Sequence, residues 1–129
     1  MAKKTTSEIL LIYAEKLKNG EVPPYTKTVL DKCIRGIDQK LDLWKDKLSD
    51  HDASEPESES AQEKWEEAGE RLEDRVDRLE DILGALETIL SLLRESDENA
   101  KEAGRDLESV VEDIDKYNYE YKGLKYVIE

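Results

Sequence analysis

Glu70, Asp74, Asp77 and Asp81 follow one another at steps of four, three and four residues. On a helix this spacing places them on one face, each separated from the next by about 4.5–6 Å of axial rise. Phosphates recur along a nucleic-acid strand on a similar scale, so such a row offers a basic groove a rigid anionic ladder. With their neighbours Glu66 and Glu73, these residues define the candidate partner-binding set: Glu66, Glu70, Glu73, Asp74, Asp77 and Asp81. The plain alternative is a solvated face whose charge Arg71, Arg75 and Arg78 neutralise through neighbouring pairs.

Other residue types point to chemistry less directly. Glu67 with Glu70, and Glu112 with Asp115, form i, i+3 carboxylate pairs that could hold Mg²⁺ near a substrate phosphate. In that spacing alone they resemble the acidic pairs of all-helical nucleotide pyrophosphohydrolases, and a chain this acidic supplies such spacings by chance. A di-iron bundle would need Glu-x-x-His pairs, but none is present and His51 is the sole histidine. Cys33 lies one residue from an apolar seam, as a buried and inert thiol would, with no base on its own helix. The expectation is a protein that is not an enzyme and that has no catalytic residue, no metal and no cofactor. Tyr117, Tyr119 and Tyr121 suit either core or contact surface. Ser54, Ser58 and Ser60 suit either a linker or phosphorylation.

The balance of charge narrows the classes of partner. There are 33 acidic residues against 20 basic in 129. Residues 1–49 carry a net +3, residues 50–82 a net −10 and residues 83–129 a net −6. An acidic arm is therefore joined to a near-neutral N-terminal piece, which argues against direct nucleic-acid binding, because the arm would repel a phosphate backbone. A single cysteine and the lack of a long apolar run fit a cytoplasmic protein with no membrane span (host cytoplasm if viral).

Helices must position these groups, and the periodicity predicts an all-α fold of about four. Thr5 and Glu8 have capping-box spacing ahead of a short helix that Asn19 and Gly20 stop. Leu30, Ile34, Ile37, Leu41, Trp44 and Leu48 form the heptad seam of a second helix, from about 25 to 49. Gly36 within it marks either a close approach or a tolerated defect. Residues 50–60 read as an acidic flexible linker, followed by Ser60 and Glu63 as a second capping box. Leu72, Val76, Leu79, Leu83, Leu86, Leu90 and Leu93 form the seam of a long helix from about 60 to 95. Ile82, Ile89 and Leu92 widen that seam in its second half, so this helix is expected to be half buried and half projecting.

Trp44 and Trp65 are expected to close the hairpin together. A break at Ser96 to Asn99, favoured over one continuous helix, returns the chain as a helix from about 98 to 122. The segment 117–129 fits a helix better than a strand. Residues 1–129 thus form a single helical domain, an antiparallel bundle or extended hairpin with coiled-coil-like packing.

The function expected is a non-catalytic inhibitor or adaptor whose acidic arm engages a protein partner with a basic, nucleic-acid-binding surface. Small acidic helical proteins of phages and mobile elements that block restriction or CRISPR machinery share this general character, although no motif identifies a family. The alternative is an assembly coiled coil that self-associates, as a homodimer or larger, through its heptad seam.

Overall fold

The computed structural model describes residues 3–128, and among them the only regular structure is helical. Helix α1 spans Thr6–Lys18, α2 Thr26–Asp52, α3 Glu59–Glu95 and α4 Ala100–Glu120, with a single 3-10 turn at Asp97–Asn99 between α3 and α4. The helices pack in the spatial order α2, α3, α4, α1. Each neighbouring pair is antiparallel, as its bridging contacts show: Lys45 meets Glu80, Arg75 meets Tyr117, and Ser7 meets Asp115.

Local chemistry sets the helix ends. Thr5 and Glu8 form the expected capping box, satisfying two amides that the first turn of α1 would leave unbonded. Ser58 caps α3 by accepting from the Ala61 amide, so the Ser60–Glu63 capping box expected from the sequence does not form. The linker is shorter than residues 50–60, because α2 continues through Asp52 and α3 begins at Glu59. Ser96 breaks the chain as expected; its hydroxyl accepts from the Glu98 amide, and Asn99 donates to the Leu92 carbonyl at 2.8 Å.

The core is aliphatic. Leu79, Leu86, Ile89 and Leu93 of α3 pack with Leu30, Cys33 and Ile37 of α2, Leu107 and Ile114 of α4, and Leu10 and Leu17 of α1. Burial on α3 starts at Val76, and the residues before it are half-buried or exposed. The narrow part of the seam therefore meets α2 and, through Arg71, Asp74 and Arg75, the end of α4, whereas the wide part is enclosed. Gly104 lets α1 and α4 approach closely, since an added Cβ would lie 2.6 Å from the Lys18 backbone nitrogen and 2.9 Å from the Ala14 carbonyl oxygen.

After α4 the chain turns through Lys122 and Gly123, both at positive φ, and runs back as an irregular tail. The tail buries Leu124 and Ile128. Its Lys125 carbonyl accepts from the Thr6 amide at 2.7 Å, and its Val127 amide donates to the Thr6 hydroxyl at 2.9 Å. Gly36 gives room to this tail rather than to another helix, since a Cβ there would stand 2.6 Å from the Val127 oxygen.

Candidate functional site

Helix α3 is 37 residues long, about 55 Å. Helix α4 ends at Glu120, beside Arg78 and Arg75, so the N-terminal part of α3 leaves the four-helix layer accompanied only by the end of α2. The tip of this arm is closed by His51 and Trp65, whose rings stack with centroids 4.8 Å apart and planes 11° from parallel. His51 Nε2 donates to the Trp65 carbonyl at 2.8 Å, and Trp65 Nε1 donates to the His51 carbonyl at 2.9 Å. Gly69 makes room for the imidazole, because a Cβ at that position would lie 3.0 Å from Nε2. The expected Trp44–Trp65 closure does not occur: Trp44 lies further down the hairpin, against Arg75.

All six candidate partner-binding residues, Glu66, Glu70, Glu73, Asp74, Asp77 and Asp81, are exposed. Glu66, Glu70 and Glu73 border a shallow groove with His51, Asp52 and Trp65. Asp74 differs from the others: it accepts a short hydrogen bond from the Tyr121 hydroxyl and lies 3.6 Å from Arg78 Nε. Glu66, Glu70, Glu73, Asp77 and Asp81 make no ion pair with a described residue. They follow at steps of four, three, four and four, which is one face of α3.

The arginines interspersed with these carboxylates in the sequence are turned toward the end of α4. Arg75 sits with its guanidinium carbon 3.5 Å from the centre of the Trp44 ring. Its Nε donates to the Tyr117 hydroxyl at 2.7 Å, and a terminal nitrogen donates to the carbonyls of Tyr121 and Lys122 at 3.3 and 3.1 Å. Those carbonyls lack intrahelical partners at the helix end, where a cation also complements the dipole. Arg78 pairs with Glu120 as well as Asp74, and Arg71 lies 5.8 Å from the Tyr121 ring. The sequence reading missed this cluster. Its only trace in the sequence is Tyr117 and Tyr121 one turn apart near the end of a helix.

The remaining candidates fall elsewhere. All four residues of the two carboxylate pairs, Glu67 with Glu70 and Glu112 with Asp115, are exposed, and Asp115 accepts from the Ser7 hydroxyl of α1. Among the described residues no three His, Cys, Asp or Glu side chains gather as a metal ion would require. Cys33 is fully buried, and burial pushes its thiol up to about 12, far from the thiolate a nucleophile needs. Of the C-terminal tyrosines, Tyr117 is buried, Tyr121 half-buried and Tyr119 92% exposed, so core and surface divide them. No helix among the described residues is long and apolar enough to cross a membrane. The chain matches no protein-family model, no curated protein and no solved structure, which leaves its own geometry as the ground for a functional reading.

Proposed function

We propose that this protein is a non-catalytic inhibitor or adaptor that docks the acidic arm of α3 on a basic, nucleic-acid-binding surface of a protein partner. One observation carries the reading: Arg71, Arg75 and Arg78 are recruited to the aromatic end of α4, which leaves Glu66, Glu70, Glu73, Asp77 and Asp81 as an unpaired row on a helix. A solvated face that served only solubility would gain from interleaved ion pairs along its length. Here the three arginines are drawn toward the end of α4, and of the row only Asp81 shares a pocket with cations, Arg78 and Lys116, so the field over Glu66, Glu70, Glu73 and Asp77 is predominantly negative. The helix holds that row rigid before binding, which limits the entropy lost on docking. An anti-defence role against restriction or CRISPR machinery is the biological setting in which such a decoy has its clearest use.

The test is capture of partners from a cell lysate on the immobilised protein, at low and high salt, with and without duplex DNA as competitor. The control is a variant carrying Glu66→Gln, Glu70→Gln, Glu73→Gln, Asp77→Asn and Asp81→Asn. The reading expects proteins that the control does not capture, that salt elutes and that DNA displaces. Equal capture by the control, or capture indifferent to both salt and DNA, would overturn it. Self-association through the seam draws no support from the packing, because Val76, Leu79, Leu83, Leu86, Leu90 and Leu93 are buried within one chain.

A further inference from the structure

In a chain with 33 acidic and 20 basic residues, one cleft gathers three cations, Lys32, Arg35 and Lys40, with no carboxylate of the described residues in its lining. It lies between the outer face of α2 and the C-terminal tail and has a volume of about 330 Å³. Lys32, Arg35, Gln39 and Lys40 form its α2 side, and Tyr126 forms the other. The Lys125 amine lies 5.6 Å from the centre of the Tyr126 ring. Lys32 and Lys40 make no ion pair with a described residue. Arg35 reaches Asp31 at 3.0 Å through one terminal nitrogen, which leaves the rest of its guanidinium to donate elsewhere.

The cleft is held in shape from below. Its floor is the contact between Gly36 and the Val127 backbone, which no side chain larger than hydrogen would allow. The tail is pinned on both sides of Tyr126, by the two bonds to Thr6 and by the buried side chains of Leu124 and Ile128. Asn118 adds a third tie, accepting from the Leu124 amide at 2.7 Å. The acidic arm makes no use of this cleft, so the gathered charge calls for an explanation of its own.

We propose that the cleft binds a phosphate-bearing small ligand. The amines of Lys32 and Lys40 and the free edge of Arg35 supply charge-assisted donors to the phosphate oxygens, and the Gln39 amide and Tyr126 hydroxyl are the neutral donors beside them. A volume of this size holds a compact phosphoanion or the phosphate end of a nucleotide, and the two sources differ in whether the nucleoside adds affinity. The proposal is independent of the arm's role, since the two sites share no residue.

The test is titration of the full-length protein with sodium pyrophosphate and, separately, with ATP, at low salt and without divalent metal, followed by amide chemical shifts. Saturable shifts confined to residues 32–40 and 122–128 are expected with both probes. Lys32→Ala together with Lys40→Ala should weaken binding by roughly tenfold or more, because two charged donors are lost. Lys27→Ala with Lys64→Ala removes the same charge away from the cleft and should leave affinity within about twofold. Equal affinity for both probes assigns recognition to the phosphates alone, and tighter ATP binding assigns a share to the nucleoside. The proposal falls if neither probe gives a saturable shift or if both double variants weaken binding alike. It also falls if the protein instead forms concentration-dependent dimers that the Lys32/Lys40 variant abolishes, since the cleft would then hold an acidic segment of a second copy. The arm variant with five carboxylates neutralised should bind both probes as the parent does, so failure of one proposal leaves the other intact.

Discussion

Arg75 joins three elements through one planar cation: it stacks on Trp44 of α2, donates to Tyr117 of α4 and caps the carbonyls that end α4. Arg75→Ala should therefore lower unfolding free energy by about 2–3 kcal/mol, read from urea denaturation, with a desolvated cation–π contact and charge-assisted hydrogen bonds lost together. Arg75→Lys should recover little of it, because an ammonium neither stacks as a plane nor reaches three acceptors in a fixed fork. Two glycines separate packing from propensity. Gly104→Ala places a methyl group within 3 Å of the α1 backbone and should cost about 1–3 kcal/mol. Gly84→Ala meets nothing within 4 Å on an exposed helical turn and should add about 0.5–1 kcal/mol. A thermal melt of each variant decides both signs. Cys33 and Tyr121 contribute to the alkaline limit. Burial raises the Cys33 thiol from 9.0 to about 12. Burial first, and then the hydrogen bond to Asp74, raises Tyr121 from 10.0 to about 12. In both cases the folded state holds its proton longer than the unfolded chain, so their contribution is complete below pH 9 and declines as pH rises toward 12. Urea midpoints should fall across that window, and less steeply in Cys33→Ala.

Helix α3 is one element with two physical regimes, and their boundary lies at Arg75 and Val76. Beyond it the helix is enclosed by α2 and α4; before it, Trp65 and His51 tie the arm to the end of α2, and Arg71 and Asp74 meet Tyr121. Trp65→Ala should accelerate amide exchange across residues 60–72 and 46–52 by roughly tenfold, while residues 79–93 keep their protection. Uniform loss of protection along α3 would show instead that the arm and the bundle unfold as one unit. That such a boundary exists was legible in the sequence, because stripe width reports how many neighbours a helix has, but the stripe widens only from Leu79, with Ile82 and Ile89, about one turn after burial begins at Val76. The return at Ser96 and the capping box at Thr5 were legible for a similar reason: each is a local bond between residues a few positions apart. What escaped the sequence depends on distant partners. Nothing near Arg75 signals Trp44, nothing near Gly36 signals Val127, and Ser58 and Ser60 are equally good caps until the chain fixes where the turn ends. The acidic face was legible as a ladder. The side to which its arginines turn was not, because that depends on where α4 stops.

At the scale of the whole molecule, a net charge of −13 on 129 residues sets folding and binding in opposition with respect to salt. The five unpaired carboxylates on one face of α3 repel one another and the rest of the acidic surface, a cost that screening relieves. Unfolding free energy should therefore rise as sodium chloride is increased from low to moderate concentration, by about 0.5–1 kcal/mol, while the surface pairs Lys45–Glu80 and Arg35–Asp31 lose little, being exposed and weak at the outset. Attraction between the arm and a basic partner is weakened by the same ions, so affinity should fall over the range in which stability rises. The charge-neutralised arm separates the two effects. With Glu66, Glu70, Glu73, Asp77 and Asp81 replaced by their amides, the protein should be more stable at low salt than the parent, and most of the salt dependence of its unfolding should disappear. If the variant is instead less stable at low salt, those carboxylates hold the arm together through contacts within the fold. A row needed for folding in this way would not be a surface kept free for a partner, so this one comparison, made by urea denaturation at two salt concentrations, bears on both the energetics and the use of the arm.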